Sequence, residues 1–579
     1  MLLQKPFRFY LRKHWKLACL GFISLFLTNA LETAVPWLIG TTLDQITAES
    51  DMKSIGQTVF KIFVVIFFLS IFRFLWRAFW GRFHHTVAED LRNRIFAKYT
   101  LLGPSFFRQR KIGELMSLIT NDVNSFRMGI GPGILVLSDS LIIAGLVLPI
   151  MFSISWSWTL KCLILMPVVP FVIYRLIAQL HAGFDARQER FSKMSGSAQE
   201  IVSGIRVIKS FAQEKNQTRL FNVHSGRFME SCNRIALWDA MFGPSMELPV
   251  AVGCAFLLLI GAPEVASGAV TLGAFFAFYQ YIQRMIWPME GIGIALGQIQ
   301  EGRAAFKRIR ALLEQELDIP DHGTIEVSEL QSLEVKNLSF QYPGSQFKVL
   351  ENISFRLEKG ECLGVIGETG SGKSTLIELL CRQYPVPSGT ILVNGISIEK
   401  IRLKSLRQLI GLVPQEAFLF SRKVCENIAL GKNEWTMAEV QSATSTVQLH
   451  SEVENWPDGY DAMVGERGVN LSGGQKQRLT LARALMRKAP LIILDDALSA
   501  VDAKTEKMIL ADLQEELTGR GNRPTSIVVS HRLASVRWAD KILILNEGQI
   551  ETSGRHEELL NSSALYKELY NMQMEIEPA

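Results

Sequence analysis

The sequence predicts an all-α membrane domain of six spanning helices, fused to an α/β domain built around a phosphate-binding loop. Three observations carry this expectation. Before residue 300, six stretches are largely apolar over the ~20 residues that a spanning helix needs; they begin near Leu17, Val59, Gly133, Trp158, Leu248 and Gly273. After residue 300, short β-rich runs alternate with helical patterns, as in an α/β domain. Residues 367–375 read GETGSGKST, a G-x-x-x-x-G-K-[ST] loop with an apolar run before it and a helical pattern after it. Composition narrows the choice further. With 48% hydrophobic and 20% charged residues, the 579-residue chain is neither disordered nor collagen-like. Its seven cysteines are scattered with no C-x-x-C pair, which excludes a disulfide framework and a metal knuckle. A net charge of +5 is small for this length and implies no nucleic-acid partner.

The N-terminal segment MLLQKPFRFYLRKHWK carries Lys5, Arg8, Arg12, Lys13 and Lys16 and no acidic residue. The apolar run after it lacks a small-residue cleavage site and contains Asn29, Glu32 and Pro36. It therefore reads as an interfacial elbow helix entering the first span rather than a signal peptide. The loops after spans one, three and five hold almost no basic residues, whereas 82–127 and 175–234 are rich in Lys and Arg. Basic short loops stay inside, so both termini are expected in the cytoplasm. The inner connections keep helical spacing over 82–102, up to Gly103-Pro104, and over 184–203, up to Gly204. They read either as solvated amphipathic helices or as levers that meet a soluble domain.

Among the charges within the spans, Glu32 and Arg284 fall near mid-depth and Arg73 and Asp139 in the inner third. Such charges pair with one another or line a water-filled cavity. Two internal salt bridges and contact with a charged amphipathic substrate both remain open. Phe275, Phe278, Tyr281 and Met285 either line that cavity or pack between helices.

The expected boundaries are a transmembrane domain over 1–310, a linker over 311–332, a nucleotide-binding domain over 333–568 and a tail over 569–579. In the loop Gly367, Glu368, Thr369, Gly370, Ser371, Gly372, Lys373, Ser374 and Thr375, backbone N–H groups and a helix N-terminus suit phosphates. Lys373 would meet the β- and γ-phosphates of ATP and Ser374 would ligate Mg²⁺. A plain glycine-rich turn is the competing reading, but it needs neither flank. The run LIILD at 491–495 is a buried parallel strand whose final carboxylate, Asp495, suits the same Mg²⁺.

The string Leu471-Ser472-Gly473-Gly474-Gln475, followed by KQRLTLARALM, together with the loop at 367–375, resembles the ATP-binding-cassette (ABC) transporters. The resemblance covers essentially the whole chain, and its six spans plus one cassette are similar to exporter-type (type IV) half-transporters of the multidrug-resistance-like group. It implies that Tyr342 stacks on adenine and that Gln415 reaches the metal and the membrane domain. It implies that His531 bonds the γ-phosphate, and that Leu471–Gln475 binds ATP held by a second subunit. Val464–Gly468 precedes that signature, and Ser499–Asp502 follows the strand at 491–495, as in the family. The segments 106–123 and 204–214 resemble the family's intracellular-loop motifs, which places Asp122, Phe211 and Glu214 near coupling helices and docks them by Gln415 and the Glu466 loop.

One position departs from the family pattern. The residue after Asp495 is Asp496, where the family has a glutamate general base. Aspartate is one methylene shorter, so its carboxylate falls back by roughly 1–1.5 Å, and a misplacement of about 1 Å can cost around 10²-fold in rate. The resemblance then implies a heterodimer, in which a second half-transporter brings the glutamate and this chain brings the intact signature. A homodimer using Asp496 as its base is the alternative. The expected activity is ATP-driven efflux of small amphipathic compounds across a bacterial plasma (inner) membrane, among membrane lipids. Lipid flipping, metal-chelate uptake and a nucleotide-sensing regulatory subunit are the competing functions.

Overall fold

The computed structural model describes residues 4–163, 168–432, 434–465, 468, 470–518 and 523–576. It divides into two units, Met1–Thr100 with Ile112–Gln315, and Leu101–Lys111 with Glu316–Ala579.

Among the described residues, the regular structure of the first unit is all helical. A basic helix, Gln4–Lys13, ends at His14, and Trp15–Thr47 follows with Pro36 inside it. Met52–Leu101 is one uninterrupted helix of 50 residues, far longer than a bilayer is thick. The predicted stop at Gly103-Pro104 holds, because Pro104 sits in the first turn of a new short helix, where its missing N–H costs nothing. Helix Val168–Ser203 stops at Gly204 as predicted. Phe60, Phe63, Phe67 and Phe74 share one face of Met52–Leu101 and stay exposed, as a lipid-facing stripe does.

Among the described residues, four helical stretches are long and apolar enough to cross a membrane: Trp15–Thr47, Met52–Leu101, Ile112–Ile154 and Glu214–Ala266. They contain the predicted first, second, third and fifth spans. The fourth runs over 164–167, which lie outside the described residues. The sixth is two helices, Leu272–Arg284 and Ile286–Leu313, meeting at Met285. Pro288 explains the break: it has no N–H to give the Arg284 carbonyl, and its ring crowds that oxygen.

Of the two salt bridges expected within the spans, Glu32–Arg284 is present and Arg73–Asp139 is not. Arg73 and Arg284 both bond Glu32, at 2.9 and 3.1 Å. Among the described residues, Asp139 takes no arginine. It accepts from Asn29 Nδ2 at 2.7 Å and Trp287 Nε1 at 2.6 Å. The aromatic set is settled as packing. Phe278, Tyr281 and Met285 are buried with Trp158 in one apolar cluster, and Phe275 packs on its edge.

The second unit holds two sheets. Strands β1 (Ser332–Phe340), β2 (Leu350–Glu358), β4 (Ile391–Val393) and β5 (Ile396–Ser397) form an antiparallel sheet in the order β2-β1-β4-β5. Strands β3 (Cys362–Ile366), β6 (Ile410–Val413), β7 (Leu491–Asp495), β8 (Thr525–Val529), β9 (Lys541–Asn546) and β10 (Gln549–Gly554) form the other, in the order β10-β9-β3-β8-β7-β6. Its four pairings from β9 to β6 are parallel, and β10 is antiparallel to β9. β3, β7 and β8 are buried along their whole lengths, which is why they read as unbroken apolar runs. Alternate residues of β3 feed two cores: Cys362 and Ile366 face one, Leu363 and Val365 the other. The C-terminal ends of these strands are where open α/β sheets place their ligands.

Candidate nucleotide site

β3 ends at Ile366, and the loop after it opens the helix Lys373–Leu380. Gly372 caps that helix at φ 102°, a left-handed conformation that costs a side chain about 1–2 kcal/mol. A Cβ there would also lie 2.6 Å from Leu350 Cδ2. Gly372→Ala is therefore expected to destabilise the cassette by about 2–4 kcal/mol, strain plus overpacking. A lowered melting temperature in lipid checks this.

The Lys373 ammonium folds over the loop, donating to the carbonyls of Gly367 at 2.8 Å and Glu368 at 2.7 Å. Burial lowers its pKa, and the Asp495 and Asp496 carboxylates partly restore it. Asp495, at the end of β7, is shifted the other way. Burial raises its pKa, the Ser374 hydroxyl bonded to it draws it down, and the charge of Asp496 raises it again. Asp496 follows in the left-handed region at φ 49°, its N–H donating to Val529 O at 2.9 Å. Aspartate tolerates that conformation better than most residues.

A cleft of about 630 Å³ is lined by Thr369, Gly370, Gly372, Lys373, Ser374, Thr375, Gln415, Asp495, Asp496 and His531. Gly367, Glu368, Thr369 and His531 also line an adjoining recess. Ser371 is buried beneath the loop. Loop, strand ends and switch-position histidine thus converge on one cavity from segments far apart in sequence. The contact between Ser374 and Asp495, with Gln415 nearby, is an oxygen-rich donor set that could hold Mg²⁺. Among the described residues, no three His, Cys, Asp or Glu side chains cluster as a metal site. Such an ion would therefore depend on phosphate oxygens for the rest of its shell.

Tyr342 lies outside this cleft. Its hydroxyl bonds Thr375 Oγ1 and Glu378 Oε2, both at 2.8 Å. Arg108 lies over its ring at 5.1 Å and pairs with Glu378 at 2.6 Å. Nothing in the sequence pointed to Arg108, because the segment carrying it belongs to the first half of the chain.

The signature also lies outside the cleft. Ser472 caps the helix Gly473–Met486 through a capping box with Gln475: Ser472 Oγ accepts from Gln475 N at 3.2 Å, and Gln475 Oε1 accepts from Ser472 N at 3.0 Å. The N–H groups of Gly473 and Gly474 remain at the exposed helix start. Leu471 is half-buried and packs on the core. The sequence reading missed Gln477, one turn on, whose amide bonds both Ser499 Oγ and the Ala500 N–H at 2.8 Å. It ties the signature helix to the segment after β7.

Within the first unit, Asp122 is buried and gripped by the guanidinium of Arg308, with Nε donating to Oδ2 at 3.0 Å. That contact raises the pKa of Arg308. Phe211 is 71% exposed just before the helix Glu214–Ala240, which Glu214 opens. Glu466 lies outside the described residues.

Residues 18–289 match the family model described as the ABC transporter transmembrane region, and residues 350–499 the model described as ABC transporter. The chain is 35% identical to the probable multidrug resistance ABC transporter ATP-binding/permease protein YheI of Bacillus subtilis, covering 98% of this chain and 97% of that one. It is 37% identical to the multidrug resistance-like ATP-binding protein MdlA of Escherichia coli, covering 97% and 95%. It is 30% identical to the ATP-dependent lipid A-core flippase of Syntrophus aciditrophicus, covering 97% and 93%. In fold it is similar to a bacterial Atm1-family ABC exporter solved with ATP bound, with a TM-score of 0.78, 23% identity, and 97% and 98% coverage.

Proposed function

The chain belongs to the ABC transporters, an ATPase coupled to transport across a membrane, and from that premise we propose that it is the slow half of a heterodimeric exporter. One observation carries the proposal. Asp496 enters the cleft beside Lys373, Asp495, Gln415 and His531, while Leu471–Gln475 lies outside it. A cleft with the loop but no signature is half a site, so the other half comes from a second chain.

In this reading Lys373 and the loop N–H groups bind the phosphates, and His531 bonds the γ-phosphate. Ser374, Asp495 and Gln415 hold Mg²⁺, which supplies charge neutralisation on the phosphates. Asp496 orients the attacking water, but with a carboxylate set too far back. The free N–H groups of Gly473 and Gly474 complete the partner's site. Tyr342 stacks on adenine once Arg108 is displaced from its ring. Asp122, Phe211 and Glu214 are the coupling residues in this reading, with Asp122 holding its helix through Arg308. Closure favours the outward state because ATP binds the closed cassettes more tightly. The cargo is a small amphipathic compound, moved out across a bacterial inner membrane with both chain termini in the cytoplasm. Relatives named for multidrug resistance support this cargo, and the lipid A-core flippase keeps lipid flipping as the second reading.

Affinity purification of the chain from its native membrane tests the pairing. The expected product contains this chain and a different ABC half-transporter in equal amounts, with glutamate at the position matching Asp496. A complex of identical chains that hydrolyses ATP briskly would overturn it.

A further inference from the structure

The membrane unit contains a cavity of about 940 Å³ whose wall charges are sorted into layers. In one layer Arg73 and Arg284 share the single carboxylate of Glu32, leaving one excess positive charge. Arg284 Nε is in addition buried with no hydrogen-bond partner. In the next layer Asp139 is hydrogen-bonded by the neutral donors Asn29 and Trp287 and, among the described residues, forms no ion pair. Glu32 follows Asn29 by three residues on one helix, and Trp287 follows Arg284 by three across the junction at Met285. The layers are therefore about one helical turn, ~5 Å, apart. The other charges on the wall are Arg77, one turn after Arg73 on the Asp139 side, and Glu290, one turn beyond Trp287, so the lining as a whole is neutral. Uncompensated charge at membrane depth is costly unless it faces water or a counter-charge. Among the described residues, no arginine bonds Asp139 across the turn and no second carboxylate bonds the arginine pair.

We propose that this cavity binds a zwitterionic amphiphile, its anion at Arg73 and Arg284 and its cation at Asp139, with the two charges about one helical turn apart. The inference rests on the exporter reading and narrows its cargo. Exposed Trp287, beside the Asp139 layer, offers an aromatic face to an ammonium group.

Three amphiphiles with the same twelve-carbon chain test it below their micellar concentrations: dodecylphosphocholine, dodecyl methyl phosphate (a singly charged diester) and dodecyltrimethylammonium. Equilibrium binding to the full chain in lipid nanodiscs is the readout, so turnover is not required. The zwitterion is expected to bind about tenfold tighter than either singly charged analogue. Arg284→Gln is expected to erase its advantage over the cation, and Asp139→Asn its advantage over the anion. Equal or tighter binding of a singly charged analogue to the unmodified chain would overturn the proposal. So would substitutions that weaken all three ligands alike, since that marks a purely structural pairing. Flux of the same amphiphiles in vesicles separates the two readings: the predicted binding order without ATP-driven flux would remove the exporter reading and leave the binding site standing.

Discussion

Replacing Asp496 with glutamate raises ATP turnover by the purified chain in lipid about 10²-fold. The reason is reach. The carboxylate sits on a backbone fixed by two constraints, the left-handed φ of 49° and the N–H bond to Val529 O. The missing methylene is therefore not recovered by a small backbone shift. The extra carbon advances the carboxylate by roughly 1–1.5 Å, about one bond. It has an opposing cost: glutamate tolerates the left-handed region less well, by up to about 1 kcal/mol. That cost is small against a folding stability of about 5–15 kcal/mol, so the variant remains folded. Turnover and nucleotide affinity are measured together. Turnover rises while affinity stays within about twofold, because Lys373 and the loop are untouched.

Gly474→Asp acts on the other site. The helix Gly473–Met486 presents its first N–H groups at an end where the dipole favours an anion, and Ser472 is already committed to Gln475. A carboxylate there repels the phosphate that those groups would bind. Loss of one such preorganised donor set costs about 10²–10³ in rate. The expected result is a loss of that size in turnover by the assembled transporter, with nucleotide binding to the Lys373 loop unchanged. A Cβ at Gly474 also comes within 3.0 Å of Ala500 O, so Gly474→Ala is the control for crowding alone. It should lose much less than the aspartate.

The nucleotide cleft was largely legible in the sequence because its chemistry is local. GETGSGKST and LIILD each carry a turn or a buried strand within a few residues, and the strand order brings their ends together, while LSGGQ carries its own helix cap outside the cleft. Helix limits at Gly103-Pro104 and Gly204 were legible for the same reason. The intramembrane charges were not. Hydropathy gives a residue's depth but not the direction it faces, so Glu32 could not be assigned two arginines, nor Asp139 two neutral donors. The junction at Met285 follows from Pro288, three residues on, inside a run that otherwise reads as one span. Arg108 over Tyr342 and Gln477 on Ala500 depend on tertiary approach, and a polar residue in an ordinary helical or loop context gives no warning of it.

The central claim is that the two composite sites are unequal, and single-turnover hydrolysis by the assembled transporter tests it most directly. With two ATP molecules bound per complex and excess nucleotide removed, half of the ATP should be hydrolysed in a fast phase. The other half, held on Lys373 and Asp495, should decay about 10²-fold more slowly. A single phase that consumes both molecules at one rate would contradict the account.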